Sequence, residues 1–462
     1  MSEKSHDHAA AVVRQLADWI GSFAASPLPP ATVERARALL LDALACALYA
    51  STDDKSASAI RTVTQLSGAG TCTIIGTQLR TGLPLAAFAN GVLIRTLDLN
   101  DTYTGPRQIG HPSDNLGAAL AAAEMADRSG LDLLRTLRMG YEIYGRVLDL
   151  SDPDSPWDHV TVSGIVTAAM IGYLIRLSPV RLAHAIALAA SHSATLGEVR
   201  VGHVSAAKSI ANSVVVQTAA LMTLLAAEGV TGPGEAIEGV RGYAKLIMDG
   251  ADFSRFFTTG QDSDRLMAVG LKQYPCFALG QGPISAAIEL RKRLPAQAEI
   301  AKLTIAVANT GAARLRLSDT LGRVPSSQEA ADHSAYFLVA VALLDGRFGL
   351  DQLTGGRWQD ADVRALIERT EATIDPALKP PTSLPCRLEA TMTNGETIVI
   401  ERNVTPGMPA MPLSWDEVTE KFRRCAAGAI SEDAQGEVID AVARIEALPS
   451  VRPLLGALVP DR

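Results

Sequence analysis

The chain has 462 residues, of which 47% are hydrophobic and 20% are charged, a composition typical of globular rather than disordered proteins. A chain of this length is too long for one ordinary hydrophobic core, so two domains are expected. The net charge is −8 and no basic tract or arginine-rich stripe is present, which argues against nucleic-acid binding. An anionic substrate is not excluded, because a pocket can be locally cationic in an acidic protein.

The cysteines and the N-terminal segment bear on the cellular compartment. The five cysteines are scattered and form no Cys-x-x-Cys pair: Cys46, Cys72, Cys276, Cys386 and Cys425. Such spacing argues against a Cys-ligated zinc or iron–sulfur site and is typical of reduced thiols in a cytoplasm. The N-terminal segment is charged and polar, so no signal peptide is expected. The apolar stretches are alanine-rich and interrupted by charges, which favours buried helices over membrane spans.

Helical patterns dominate the first part of the chain. They cover residues 9–25, 31–50, 84–97, 116–148, 160–177, 179–193 and 208–228. Ser178 is the expected N-cap of the sixth of these helices, with Pro179 at its first position. Only residues 71–76 have strand character there. We therefore predict an all-α domain over residues 1–268.

The pattern changes after this region. Residues 300–307 have strand composition, and Asn394-Gly395 separates two β-rich runs, which predicts a hairpin over 384–402. Helices are predicted near 283–293, 331–344 and 361–369. We predict an α+β domain over residues 269–405, followed by helices over 406–462 that return to the first domain. The expected fold is therefore mainly α, with a large helical domain and a smaller α+β domain.

The polar segment 98–115 (DLNDTYTGPRQIGHPSDN) lies between apolar helices and is the first candidate site. It contains Asp98, Thr102, His111 and Asp114, and loops on a rigid scaffold often carry catalytic groups. A histidine beside carboxylates suits acid–base chemistry near neutral pH. The alternative is that the aspartates cap helices and His111 is a turn residue.

Two further clusters are candidates. His159 precedes a helix, whose dipole favours neutral imidazole; alternatively it packs on Trp157. The segment 198–203 contains Arg200 and is followed by Lys208, and Lys272 is similarly isolated in apolar surroundings. The two lysines could bind an anion between domains, although an isolated lysine is more often solvated at the surface. His184 and His192 are expected to be core or surface histidines. Motifs for metal hydrolysis, nucleotide binding and serine nucleophiles are lacking.

Five stretches of the chain together resemble the MmgE/PrpD family. They are DLNDTYTGPRQIGHPSDNLGA, WDHVTVSGIVTAA, the block from Glu198 to Tyr243, LKQYPCFALGQGPISAAIEL and EAADHSAYFLVAVALLDG. The resemblance implies a large all-α domain from both chain ends with an inserted α+β lid, no metal or other cofactor, and a homodimer. One departure is Gln281 with its two preceding residues, where many relatives have a histidine.

The resemblance also implies site residues and a reaction. Asp98, Thr102, His111, His159, Lys208 and Lys272 would be active-site positions. HPSDN and ADHS look closest to the 2-methylcitrate dehydratase branch, so the expectation is a hydro-lyase acting on a small polycarboxylate. His111 or Asp98 would remove a proton beside a carboxylate, and His159, if protonated, would assist the departing hydroxyl. The two lysines and Arg200 would hold the substrate's carboxylates, and Thr102 and Asp114 are expected as further substrate-binding residues. The alternatives are decarboxylation, epimerisation, or a catalytically silent protein that binds a metabolite.

Overall fold

The computed structural model describes residues 11–152, 155–200, 204–258, 264–295, 299–310, 313–314, 317 and 323–460. Helices dominate it, which confirms the predicted fold class. In chain order, the α-helices are α1 Val12–Ala25, α2 Pro30–Ser51, α3 Asp54–Leu66, α4 Leu83–Arg95, α5 Leu116–Met125, α6 Gly130–Leu150, α7 Ser163–Leu174, α8 Pro179–His192, α9 Ala207–Ala227, α10 Tyr243–Leu246, α11 Arg255–Thr258, α12 Gln281–Arg293, α13 Gln328–Ala331, α14 Ala335–Asp345, α15 Leu350–Thr354, α16 Ala361–Glu368, α17 Trp415–Ala426, α18 Glu432–Ala443 and α19 Arg452–Ala457.

The larger hydrophobic core is built mainly from α1 to α9 and is completed by the C-terminal helices. Val418 and Phe422 of α17 and Leu455 of α19 are buried in this same core. Helix α17 packs along α2, so the end of the chain returns to the helical body. Helix α9 is long and apolar enough to cross a membrane by length and composition alone, but half of its most apolar stretch is buried inside the protein.

Close packing of α4 and α5 sets the geometry near the candidate site. A Cβ added to Gly117 of α5 would lie 2.6 Å from the backbone nitrogen of Gly91 in α4. Glycine is therefore required for the two backbones to approach this closely. The contact brings Arg95, the last residue of α4, beside Asp114, which precedes α5.

A second core surrounds a four-stranded sheet. Its strands are β6 Ile300–Val307, β7 Thr370–Ile374, β8 Cys386–Met392 and β9 Thr397–Arg402, and they lie in the order β7-β6-β8-β9. Strand β6 is parallel to β7 and antiparallel to β8. The predicted hairpin joins β8 to β9, and its turn holds Gly395 at a φ of 84°, a conformation that glycine adopts without strain. Strand β7 was not predicted, because its sequence TEATI is short and contains only one large apolar residue, Ile374.

The segment 98–115 is more ordered than a loop, and the first domain is not purely helical. This segment forms the strands β3 Thr102–Thr104 and β4 Ile109–Gly110 and a 3-10 helix at Pro112–Asn115. Strand β3 also pairs with β5, Val269–Gly270, while β1 Cys72–Thr73 pairs with β2 Arg80–Thr81. These strands satisfy the hydrogen-bonding groups of a buried backbone. Strands β2 to β5 were not predicted, because strands of two or three residues are too short to show a periodic pattern in the sequence. The β3–β5 pairing brings the segments around residues 98 and 272 together.

Candidate active site

The carboxylate of Asp98 is buried and is contacted by three cationic side chains. Its Oδ1 lies 2.6 Å from Nη1 of Arg95 and 2.5 Å from Nζ of Lys272. Its Oδ2 lies 2.8 Å from Nζ of Lys208. Burial alone would raise the pKa of Asp98, but the charges of Arg95, Lys208 and Lys272 outweigh it and hold this pKa well below its usual range. Asp98 is therefore an ionised carboxylate at neutral pH.

Different elements position these groups. Arg95 ends α4, Lys208 lies in the first turn of α9, and α4 packs against α9. Lys272 follows β5 by two residues, and its Nζ also donates to the backbone oxygen of Asp98 at 3.0 Å. Asp98 has a φ of 49°, a left-handed conformation that is uncommon for residues other than glycine. Strained backbone of this kind is concentrated at functional sites.

Two site residues from the second core were missed by the sequence analysis. His333 and Asp332 contact each other through Nδ1 and Oδ1, and Nε2 of His333 lies 3.4 Å from Oδ2 of Asp98. Nζ of Lys208 lies 3.3 Å from Nδ1 of His333 and 3.9 Å from Oδ1 of Asp332. The available signal was an Asp-His pair before Ser334, which caps α14. Arg95 was also missed, although a lone arginine ending an apolar helix was visible.

Lys208 is a cation whose pKa is shifted towards the physiological range. Burial lowers the pKa of Lys208 to about 8, although the neighbouring carboxylates of Asp332 and Asp98 oppose that shift. A lysine with such a pKa can give up and regain a proton near physiological pH. Arg95 behaves oppositely, because Asp98 and Asp114 outweigh its burial and raise its pKa.

The rings of His111 and His159 lie side by side, with their centroids 5.9 Å apart. Nδ1 of His111 is 2.7 Å from the backbone oxygen of Asp101. A carbonyl oxygen only accepts hydrogen bonds, so Nδ1 carries the hydrogen and Nε2 carries the lone pair. Burial lowers the pKa of His111 well below its usual range, and the charges of Arg95 and Lys272 lower it further. His111 is therefore a neutral imidazole whose Nε2 can accept a proton.

His159 is held by Asp158, which also binds Arg200. Nδ1 of His159 lies 3.5 Å from Oδ1 of Asp158, and Nε of Arg200 contacts the other carboxylate oxygen. Burial lowers the pKa of His159 to about 3, against the opposing effect of Asp158. Within the described part of the chain, the buried atoms that lack a hydrogen-bond partner include Nε2 of His159, Nη2 of Arg200 and Oγ1 of Thr102. A buried polar group without a partner is costly, so these atoms are candidates for contacts with a ligand.

Asp114 has partners inside the protein. Its Oδ1 accepts a hydrogen bond from Nδ2 of Asn100 at 2.9 Å, and its Oδ2 lies 3.6 Å from Nε of Arg95. Burial raises the pKa of Asp114 to about 6, although Arg95 opposes the shift. In this geometry Asp114 holds Arg95 in place; its predicted contact with substrate stays a prediction.

The eight predicted residues thus fall into three groups. Lys208 and Lys272 each contact Asp98, and the rings of His111 and His159 are neighbours. Thr102, Asp114 and Arg200 adjoin these residues through backbone pairing or charge. Residues 201–203 of the third predicted cluster lie outside the described residues. His184 was expected to be a core or surface histidine without a role in the site. Its Nδ1 accepts a hydrogen bond from the backbone nitrogen of Gly232 at 3.3 Å.

Asp98, Asp332 and His333 offer three potential metal-ligand atoms within 4.8 Å of one another. However, Nζ of Lys208 already contacts Asp98 and His333 at 2.8 and 3.3 Å. An ammonium group at this position neutralises the carboxylates and would repel a cation. The donor set therefore fits an ion-paired lysine better than a metal ion.

The fold and site define a two-core, mainly helical protein with a buried cluster of cations beside neutral imidazoles. Residues 14–255 match the MmgE/PrpD N-terminal domain and residues 274–447 match the MmgE/PrpD C-terminal domain. The chain belongs to the MmgE/PrpD family, which confirms the resemblance noted in its sequence.

The similar curated proteins are named either for cis-aconitate decarboxylase or for 2-methylcitrate dehydratase. The chain is 24% identical to cis-aconitate decarboxylase-like protein oryM of Aspergillus oryzae, over 97% of each chain. It is 28% identical to 2-methylcitrate dehydratase of Cupriavidus necator, over 81% of this chain and 82% of the relative. It is 25% identical to cis-aconitate decarboxylase of Homo sapiens, over 95% of this chain and 92% of the relative.

Proposed function

We propose that this protein is a metal-independent hydro-lyase that dehydrates a small hydroxy-polycarboxylate such as 2-methylcitrate. The observation that carries the proposal is the cluster of Arg95, Lys208 and Lys272 beside the neutral imidazole of His111. Loss of a proton next to a carboxylate places additional negative charge on that carboxylate. Fixed cations in a site without water lower the energy of this developing charge. The name of the Cupriavidus necator relative supports this reaction class.

The substrate's carboxylates would be bound by hydrogen-bond donors that the protein leaves available. A lysine ammonium has three N–H donors, and Nζ of Lys272 is hydrogen-bonded to the backbone oxygen and Oδ1 of Asp98. Nη2 of Arg200 is buried and lacks a partner among the described residues. Asp98 holds the ammonium groups in position and offsets their mutual repulsion until an anion binds.

His111 is the base in this proposal, and Lys208 is the acid. Nε2 of His111 takes the proton from the carbon beside the carboxylate, and the electron pair forms the new carbon–carbon double bond. The carbon–oxygen bond breaks, and Lys208 donates a proton so that the hydroxyl leaves as water. Asp98 is a poor base because both of its carboxylate oxygens are already paired with the cations Arg95, Lys208 and Lys272. The low pKa of His159 leaves it neutral, so it acts as a hydrogen-bonding partner rather than as the acid.

Decarboxylation of a cis-aconitate-like substrate is the second candidate. The alignments with the two relatives named for cis-aconitate decarboxylase cover 97% and 95% of the chain, against 81% for the dehydratase of Cupriavidus necator. In this reaction a carbon–carbon bond breaks, carbon dioxide leaves, and the electron pair stays on the carbon until it is protonated. The same cations would stabilise that electron pair.

Incubation with citrate, 2-methylcitrate, cis-aconitate and iminodisuccinate, followed by mass spectrometry, tests both candidates. Loss of water from 2-methylcitrate supports the dehydratase, and release of carbon dioxide from cis-aconitate supports the decarboxylase. Inverted chirality without a change in mass would indicate an epimerase instead. Turnover that depends on added iron and is abolished by chelation would overturn metal independence.

We further propose that the protein acts as a homodimer in the cytoplasm. Helix α9 exposes a row of apolar side chains, Ile210, Val214, Leu221 and Leu225. Exposed apolar rows of this kind are typical of subunit contacts. Light scattering after size-exclusion chromatography would give twice the monomer mass, and Val214→Glu should reduce it to the monomer.

A further inference from the structure

A second buried ion pair adjoins the Asp98 cluster and joins two helices of the larger core. Nζ of Lys421, on α17, lies 2.5 Å from Oδ1 of Asp42, on α2. The two side chains are only 3% and 1% exposed. The same ammonium donates to the backbone oxygen of Leu99 at 2.9 Å and to that of Lys272 at 2.7 Å. All three hydrogens of this ammonium therefore have acceptors.

The two carbonyl groups belong to the segments that carry active-site residues. Leu99 follows Asp98, whose φ of 49° is kept only because its surroundings fix it. Lys272 supplies one of the cations on Asp98. One ammonium group thus fixes the backbone on both sides of the contact between Asp98 and Lys272.

We propose that Lys421, charge-balanced by Asp42, is a positioning residue that sets the separation of Asp98 and Lys272 through their backbones. Because Lys421 lies on α17, the returning C-terminal helix would help to shape the active site through these two backbone contacts. The kinetic test of this role rests on the proposed function, because kcat can be measured only with a substrate that the protein turns over. Stability alone does not require such a pair, since hydrophobic replacements of both partners of a buried ion pair are often neutral or stabilising.

Three variants separate positioning from stability. Lys421→Met leaves Asp42 buried without its counter-charge, so both stability and kcat should fall. The double variant Asp42→Leu with Lys421→Met removes both charges and should regain most of the thermal stability. It still lacks the donor to Leu99 and Lys272, so its kcat should stay roughly 10- to 100-fold low with KM little changed, because a misplacement of about 1 Å can cost this much.

Arg146→Met is the matched control. It breaks another buried ion pair, in which Nε of Arg146 lies 2.6 Å from Oε1 of Glu142 on α6. This variant should lose stability and keep its kcat when assayed well below its unfolding temperature. If the double variant regains kcat together with stability, the role of Lys421 is structural and the proposal is overturned.

Crystal structures of the wild type and the double variant supply a readout that needs no turnover. The proposal requires that Nζ of Lys272 moves away from Oδ1 of Asp98, or that the φ of Asp98 changes. Unchanged geometry would overturn it. If the wild type turned over none of the four substrates, that result would count against the proposed function. The comparison of the two crystal structures would then decide whether Lys421 positions Asp98 and Lys272.

Discussion

Lys208 and Asp98 are 110 positions apart in the chain, and their charged atoms lie 2.8 Å apart in the folded protein. The contact joins the first turn of α9 to the segment that follows α4. Both side chains are almost fully buried, so each charge depends on the other for compensation. Variants at either position should therefore alter stability and chemistry together, and matched controls are needed to separate the two effects.

Asp98→Asn should be strongly impaired. It removes the counter-charge of Arg95, Lys208 and Lys272, and loss of one partner from a buried ion pair costs about 3–5 kcal/mol of stability. The cations would then repel one another and shift from their present positions. We expect kcat to fall by about 100-fold or more, measured beside the free energy of unfolding in urea.

Asp264→Asn is the control for this change. Asp264 accepts hydrogen bonds from Arg138 at 2.9 to 3.1 Å and lies away from the Asp98 cluster. It should lose stability without a comparable loss of kcat. A kcat for Asp98→Asn that is close to that of the wild type would show that Asp98 does not organise the site.

The pH dependence of kcat should report the ionisation of Lys208. Its pKa is about 8, and the proposed acid must be protonated, so kcat should fall as the pH rises through this value. Arginine stays protonated throughout this range. Lys208→Arg should therefore have a lower kcat that does not decline over the same interval. A wild-type profile that stays flat well above pH 8 would remove Lys208 from this role.

The sequence correctly predicted elements that are marked by neighbouring residues, such as helix caps and tight turns. Ser178 caps α8 as predicted, with a side-chain contact to the backbone nitrogen of Arg181 at 3.4 Å, and Asn394-Gly395 forms the turn between β8 and β9. The short strand β3 was not predictable, because its three residues are held by pairing with the distant strand β5.

The candidate site was predictable only in part. Single residues such as Lys208 and Lys272 could equally have been solvated lysines, and their combination with Asp98 came from the family resemblance. Arg95 and His333 were missed because the sequence around each residue does not show that its side chain approaches Asp98. Arg95 ends an apolar helix, and His333 reaches Asp98 only once the second core packs on the first.

His111→Gln should abolish proton removal while preserving the bulk of the side chain. Nε2 of His111 is available as a base because Nδ1 donates to the carbonyl oxygen of Asp101. Loss of a general base typically lowers rates by about 10²- to 10⁴-fold. Exchange of the substrate's carbon-bound hydrogen with deuterated water, followed by NMR, would measure this step directly. His192→Gln, at an exposed position on α8, should exchange at the wild-type rate; normal exchange by His111→Gln would exclude His111 as the base.

His159 should make the protein less stable in acid. Its pKa is about 3 in the folded state, against an ordinary value of 6.5. The unfolded chain therefore binds the proton first, and stability is lost as the pH falls from 6.5 towards 3. His159→Gln lacks this group, so its free energy of unfolding should decrease less between pH 7 and roughly 4.5. An identical decrease in the variant and the wild type would show that His159 is not buried in its neutral form.

Asp332→Asn should move the alkaline decline of kcat to lower pH. Among the neighbouring carboxylates, Asp332 has the largest effect in raising the pKa of Lys208 against the effect of burial. Its removal should lower that pKa below about 8, so that Lys208 loses its proton earlier as the pH rises. Asp345→Asn, which removes a partner of Arg357 at the far end of α14, should leave the profile unchanged. A shift to higher pH in Asp332→Asn would mean that a group other than Lys208 controls the decline, because removal of an anion cannot stabilise a neighbouring ammonium.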